Sequence, residues 1–342
     1  MRAAVFKGPG IPLQIETLPD PEPAPGEVVL KVGGCGICGS DLHLTDGHGT
    51  FQASPGEVLG HEYAGEVVAV GRGVQRIRVG DRVTAMPSAA CGACPACARG
   101  EPKWCPERAA RQGGYAEYLR AQETSCAKLA ANLTLEDGAL VEPLAVGLHG
   151  VERAGLQVGD KVLIIGAGPV GLATLFWAKR MGAGRVVVTA PSTRRAALAL
   201  ELGADDFVAG GDDAVEAVNA KLGGPPDVVF ECVGMPGVIG RAIDHVRPLG
   251  AVVVMGFCTT LDHFLPVTAL FKEVRMVFAV TYAMRDFKVA IDTLDKGFVT
   301  PRAMVTHRIG LDELPAAFEA LRQRSDQCKV MVDPWRTPAT AP

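Results

Sequence analysis

The sequence has no surplus of positive charge. Its 34 lysines and arginines are set against 38 aspartates and glutamates, a net charge of −4, and a surface that binds phosphates needs the opposite balance. Aromatic side chains are scarce, at 6%, which leaves little to stack on bases. Both shortages argue against nucleic acid as a partner. The opening residues MRAAVFKGPG lack an apolar stretch, so no secretory signal is expected. Long apolar runs are missing too, with one partial exception. Val162 to Ala178 carries no charge, but it is short for a bilayer and is broken by Gly166-Ala167-Gly168-Pro169. A buried strand, a tight turn and a buried helix read better. A soluble, cytoplasmic protein without membrane contact is expected. In a reducing compartment, the ten cysteines point to metal binding or burial rather than disulfides.

What is present divides into two textures. The length of 342 residues suits two domains. Up to about residue 150, short β-rich runs such as EVVLKV (27–32), AGEVVAV (64–70) and DRVTAM (81–86) alternate with Gly/Pro turns. After Val158, strands alternate with helices. KVLII (161–165) precedes a helix over Val170–Met181, and RVVVT (185–189) precedes one over Thr193–Leu202. DVVFEC (227–232), a helix over Gly237–Val246, AVVVMG (251–256), RMVFAV (275–280) and a helix over Arg285–Leu294 follow. This alternation predicts βαβ units on a parallel sheet, an α/β fold. A helix over Leu311–Arg324 and a strand KVMV (329–332) end the chain.

Gly166-Ala167-Gly168-Pro169-Val170-Gly171 matches G-x-G-x-x-G between a strand and a helix. Its glycines allow a tight turn, close approach of backbone to a pyrophosphate, and close packing of helix on strand. The helix N-terminus then offers free N–H groups and a positive dipole end to the phosphates. An acidic residue about 20 positions on would hold the ribose 2′-hydroxyl. The chain instead reads Thr189-Ala190-Pro191-Ser192-Thr193-Arg194-Arg195. Ala190 removes a charge that would repel a 2′-phosphate, and Ser192, Arg194 and Arg195 could bind one. NADP(H) is therefore favoured over NAD(H). The plainer alternative leaves both arginines on a solvated helix face, where Arg195 is expected under either reading.

Cys91, Cys94, Cys97 and Cys105 have the spacing C-x2-C-x2-C-x7-C. Four thiolates this close can enclose a tetrahedral zinc with no open position, a structural site. Gly92, Pro95 and Gly100 help the chain fold back. An iron–sulfur cluster is the rival, with no electron-transfer feature to accompany it. Elsewhere stand Cys38 in GGCGICGSDLH, His61 and Glu62 in GHE, and Glu142 in VEPLAVGLHG. Taken singly, each has a plain reading: a buried thiol, a turn residue, a charge at a helix N-terminus.

Together these motifs resemble the zinc-dependent medium-chain alcohol dehydrogenases, particularly the sorbitol and polyol dehydrogenase branch. The likeness covers nearly the whole chain and rests on CGICGSDLH, GHEYAGEVVAVG, the four-cysteine lobe, EPLAVGLHG and GAGPVG in order. It implies a GroES-like, β-rich catalytic domain at 1–150 with a structural zinc lobe at about 88–108. A Rossmann domain with a doubly wound parallel sheet would span 151–292, and 293–342 would complete the catalytic domain. It implies a second, catalytic zinc on Cys38, His61 and a carboxylate, Glu62 or Glu142. Zinc with three protein ligands and one open position acts as a Lewis acid and brings the pKa of bound water to about 7. The same resemblance makes Ser40 the group that takes the alcohol proton and His43 the one that delivers it to solvent. Asp41 would orient the histidine ligand. Leu44, Phe51 and Pro87 would lie near the substrate.

The expected reaction is hydride transfer between NAD(P) and a small alcohol, secondary or polyol, and its ketone or aldehyde. Two rivals are a zinc-free enone or quinone reductase of the same fold and a zinc-binding module without catalysis. The first lacks the metal residues found here. The complete cofactor loop and the negative charge count against the second. A homodimer or homotetramer is expected, with RMVFAV as candidate interface strand. Loss of Cys97 should destabilise the fold or assembly before it changes the reaction type.

Overall fold

A computed structural model describes residues 1–48, 50–99, 101–110, 112–210, 214–323 and 325–337. They form two compact units, 1–142 together with 282–342, and 143–281. Both limits fall earlier than the expected 150 and 292. The first lies inside one continuous helix, Leu135–Ala154, so no turn signal marks it. The expected turn residue Gly100 lies outside the described residues.

The first unit is built on a seven-stranded sheet. In spatial order it runs Val305–Gly310, Lys329–Asp333, Glu27–Gly36, Glu62–Val70, Arg82–Ala85 and Cys126–Lys128, with Tyr118–Gln122 also paired to Glu27–Gly36. Of the residues Glu27–Val32 only Lys31 is exposed, because core packs on both faces of the strand. The core includes Phe6, Leu30, Val32, Tyr63, Val67, Tyr115, Phe318 and Val330. The strand runs past the expected end at 32 because the antiparallel ladder with Glu62–Val70 continues through Gly34, Cys35 and Gly36. Gly36 pairs with Glu62 on one side and with Met331 on the other. That register brings residues just after 36, just before 62, and near 329 to one place.

The end of the chain differs from expectation. Leu311–Glu313 is a short 3-10 turn and Leu314–Ala320 a separate helix. Pro315, in the first turn of that helix, has no N–H to give to a preceding turn, so it opens a helix rather than continuing one. Arg324, the expected helix end, lies outside the described residues.

The second unit is a six-stranded sheet in which every pairing is parallel. Its spatial order is Asp206–Ala209, Arg185–Ala190, Lys161–Ile165, Val228–Glu231, Ala251–Val254, Arg275–Phe278. Numbered along the chain this is 3-2-1-4-5-6, the doubly wound order of dinucleotide-binding folds. Val162–Ile165, Val228–Glu231 and Ala251–Val254 are buried throughout, as strands with both faces covered must be. The expected helix over Thr193–Leu202 is a 3-10 turn at Thr193–Arg195 followed by Ala196–Glu201. Among the described residues no helix is long and apolar enough to cross a membrane.

Candidate metal centres and cofactor loop

The inner centre follows from the register around Gly36. Cys38 caps the short helix Gly39–Leu44, which starts just beyond the strand Glu27–Gly36. His61 immediately precedes the paired strand Glu62–Val70. Ligand atoms of Cys38, His61 and Glu62 all lie within 4.8 Å of one another. A tetrahedral zinc with sulfur ligands at about 2.3 Å has edges of about 3.8 Å, so this donor set fits zinc. Ser40 Oγ donates to Cys38 Sγ at 3.3 Å. Asp41 Oδ1 lies 3.1 Å from His61 Nδ1, and Asp41 is fully buried. An ionised carboxylate can only accept, so Nδ1 carries a proton. Against burial, Asp41 and Cys38 also favour the charged ring, and Nε2 offers a lone pair once a metal displaces its proton. Burial works to raise the Asp41 carboxyl, but the His61 charge and hydrogen bond, then Tyr115 and the Cys38 N–H, outweigh it and hold it low.

Glu62 is paired with Lys329, whose Nζ is 2.6 Å from each of its carboxylate oxygens and 3.0 Å from the Ile37 carbonyl. Both side chains are buried. Burial alone would lower the lysine, but Glu62 and then Cys38 hold it high. Glu142 corrects an expectation. It lies in the middle of the helix Leu135–Ala154, not at a helix start. Burial pushes its carboxyl up to about 7, and the Glu62 charge adds to this, while His61, a hydrogen bond from Tyr282, and Lys329 work the other way. Among the described residues, Glu142 is not in the tight group of three.

The four-cysteine lobe is assembled locally. A two-stranded pair, Ser88–Ala89 with Ala109–Ala110, closes its base. Cys94 caps the helix Pro95–Ala98, with Pro95 in its first turn. All four sulfurs lie within 4.8 Å of one another. The Cys91 and Cys105 sulfurs are 3.5 Å apart. The backbone N–H of Ala93, then that of Cys94, brings the Cys91 thiol down to about 7. Lost hydration and the neighbouring Cys94 push Cys97 up to about 12. Four thiols this close cannot all ionise unaided, and a divalent cation removes the conflict.

The glycine loop joins the strand Lys161–Ile165 to the helix Pro169–Arg180. Gly166 has φ +111°, and a Cβ at Gly171 would collide with the Gly166 carbonyl. Gly168 caps the helix without a side-chain bond, and Pro169 opens it. No carboxylate stands between Thr189 and Arg195. Arg194 is exposed, as the plain reading had it, but Arg195 is half-buried and its Nη1 donates to the Ala167 carbonyl at 3.3 Å.

Comparison with known proteins decides the family. Residues 24–131 match the alcohol dehydrogenase GroES-like domain, and residues 169–296 match the zinc-binding dehydrogenase domain. Sheep (Ovis aries) sorbitol dehydrogenase is 37% identical over 329 residues, 93% of this chain and 92% of that protein. The chain belongs to the zinc-dependent medium-chain alcohol dehydrogenase family. A zinc-binding dehydrogenase of Sinorhizobium meliloti, solved with NADP, superposes with a TM-score of 0.89 at 32% identity, over 97% of this chain and 99% of that one. 2R,3R-butanediol dehydrogenase of Bacillus subtilis gives 0.87 at 33%, with the same coverage. The protein is thus an oxidoreductase of the alcohol dehydrogenase class, using zinc and a nicotinamide cofactor on a small alcohol.

Other expected residues of this dehydrogenase fall as follows. The His43 side chain is 42% exposed, with Nδ1 3.7 Å from Asp46 Oδ2. Leu44 and Pro87 are half-buried, and Phe51 is exposed. Three residues escape a reading of the sequence: Lys329, Tyr115 and Tyr282. Lys329 carries one signal, a lysine opening an otherwise apolar strand. Nothing near Tyr115 or Tyr282 in the sequence announces a polar partner.

Proposed function

We propose that this dehydrogenase interconverts a secondary alcohol or polyol and its ketone, with NADP(H) preferred over NAD(H), at a zinc held by Cys38, His61 and a carboxylate. The convergence of Cys38, His61 and Glu62 within 4.8 Å carries this reading. Glu62 is the nearer carboxylate, and Glu142 is a second one whose raised pKa lets it be neutral or charged near pH 7. When bound, the zinc supplies a Lewis acid that makes an alcohol hydroxyl easier to deprotonate, and the nicotinamide accepts the hydride. Ser40, whose hydroxyl already lies against Cys38, takes the proton. His43 is exposed enough to pass it to solvent, and an imidazole can both donate and accept. Asp41 keeps His61 in one tautomer and one orientation. Cys91, Cys94, Cys97 and Cys105 hold the second, structural zinc.

Ser192 and the exposed Arg194 are the proposed contacts to a 2′-phosphate, with Ala190 leaving room for it. Arg195 supports the loop through Ala167. The sorbitol and butanediol dehydrogenase relatives support a polyol or secondary alcohol over other classes. An assembly of two or four chains is also proposed. The strand Arg275–Phe278 is an edge strand among the described residues, with Phe278 67% and Val280 53% exposed. Light scattering that finds a monomer at micromolar concentration counts against it.

One combined assay tests the reading. Metal analysis should find about two zinc ions per chain, and a screen across polyols and secondary alcohols should give a higher kcat/KM with NADP(H). A clear preference for NAD(H) refutes the cofactor choice. Ser40→Ala should lower kcat by roughly 10²- to 10⁴-fold, the usual contribution of a positioned proton-transfer group, with both zinc ions retained. An unchanged kcat removes Ser40 from the relay.

A further inference from the structure

The hydrogen bonds behind His61 do not stop at Asp41. One Asp41 oxygen faces His61 Nδ1 at 3.1 Å. The other accepts the Tyr115 hydroxyl at 2.5 Å and the Cys38 amide at a long 3.4 Å. Tyr115, Asp41 and His61 therefore form one line from the core of the first unit to the metal ligands. We infer that the Tyr115 hydroxyl is a positioning group for the inner metal centre: it fixes the Asp41 carboxylate, which in turn holds the His61 ring. The inference rests on the reading that Cys38 and His61 hold zinc.

Three observations carry it. Tyr115 is fully buried, and its ring is locked from several sides. Gly60, immediately before His61, has φ +90°, and a Cβ there would stand 2.6 Å from the Tyr115 ring. The amides of Gly113 and Gly114 both donate to the Gly60 carbonyl, and that of Tyr115 to the Leu59 carbonyl. Phe318 meets the ring edge-on at 6.3 Å. The loop carrying His61 and the loop carrying Tyr115 are thus tied together, and the phenol reaches Asp41 from a fixed base. Second, packing does not explain the hydroxyl. A phenylalanine ring would fill the same space, so the oxygen is there for its hydrogen bond. Third, Asp41 is fully buried, so bulk solvent does not stand in for the phenol. Without it, one oxygen of that carboxylate keeps only the 3.4 Å amide contact. Such an oxygen is costly to leave unsatisfied, and the carboxylate gains freedom to turn away from His61.

The test is a metal-binding cycle on the full chain. Tyr115→Phe keeps the ring and removes the oxygen. Inner-centre zinc affinity, measured by chelator competition, should fall by roughly 3- to 30-fold. That is at or below the 10- to 100-fold typical of direct partners of metal-bound histidines. The lobe zinc is the internal control and should stay. Asp41→Asn should cost more than Tyr115→Phe. Adding Tyr115→Phe to Asp41→Asn should cost little further, because the hydroxyl acts only through that carboxylate. An unchanged or tighter affinity in Tyr115→Phe overturns the inference. So does a loss that persists undiminished in the Asp41→Asn background, which would mark the tyrosine as merely structural. If His61→Ala still binds about two zinc ions per chain, the underlying ligand reading fails, and the inference for Tyr115 falls with it; the Tyr115→Phe result alone tests the inference when His61→Ala loses the inner zinc.

Discussion

The two candidate metal centres of the first unit share cysteine chemistry but are built in opposite ways. The lobe takes all four donors from residues 91–105. It has little core of its own: Cys91 is exposed, Cys94 and Cys97 are half-buried, and Ala96 and Cys105 are its buried residues among the described ones between 91 and 105. Its charge problem is four sulfurs side by side, which a divalent cation would resolve. The inner centre draws on residues 38, 61, 62 and 329, brought together by strand register. Its charges are buried, and the fold itself answers them, with Lys329 against Glu62 and Tyr115 with His61 against Asp41. A site that the metal must hold together is suited to structure. A site held by the fold can leave one metal position open for substrate.

This contrast breaks most easily at Lys329. Lys329→Met strands a buried carboxylate, and losing one partner of a buried pair costs roughly 3–5 kcal/mol. Urea unfolding should show a loss of that order. Adding Glu62→Gln in the same chain should recover much of it, because the uncompensated charge is gone. A loss under about 1 kcal/mol would place the pair with ordinary surface ion pairs, and the inner centre would then depend on its metal as the lobe does.

The same contrast explains what can be read from the sequence. The lobe is legible because its ligands are neighbours and their spacing alone sets the geometry. The glycine loop is legible for the same reason. The parallel sheet follows from short apolar runs set between helices, such as AVVV at 251–254. Cys38, His61 and Glu62 come together only through resemblance, since pairing of Gly36 with Glu62 is a long-range choice of register. Lys329 and Glu62 stand 267 residues apart, and no local pattern links them. The plain reading of Glu142 as a helix-start charge fails because the helix Leu135–Ala154 runs on through Pro143. Arg195 turns inward to the Ala167 carbonyl, an acceptor that only the folded turn presents.

The smallest and sharpest comparison uses one substitution in both places. Gly36 beside the inner centre has ordinary backbone angles, but an added Cβ would collide with Glu62 Oε2 and stand 2.9 Å from Lys329 Cδ. Gly92 in the lobe is the reverse case: its φ is +76°, and a Cβ there meets nothing within 4 Å. Gly36→Ala should therefore act by crowding, about 1–3 kcal/mol against global unfolding, and should weaken inner zinc by displacing Glu62. Gly92→Ala should act by backbone strain, about 1–2 kcal/mol, felt only where the lobe folds around its cysteines. Unfolding curves and zinc affinity for the two variants separate these causes. If Gly92→Ala shifts global unfolding as far as Gly36→Ala does, the lobe is no local appendage, and its metal contributes to the stability of the whole unit.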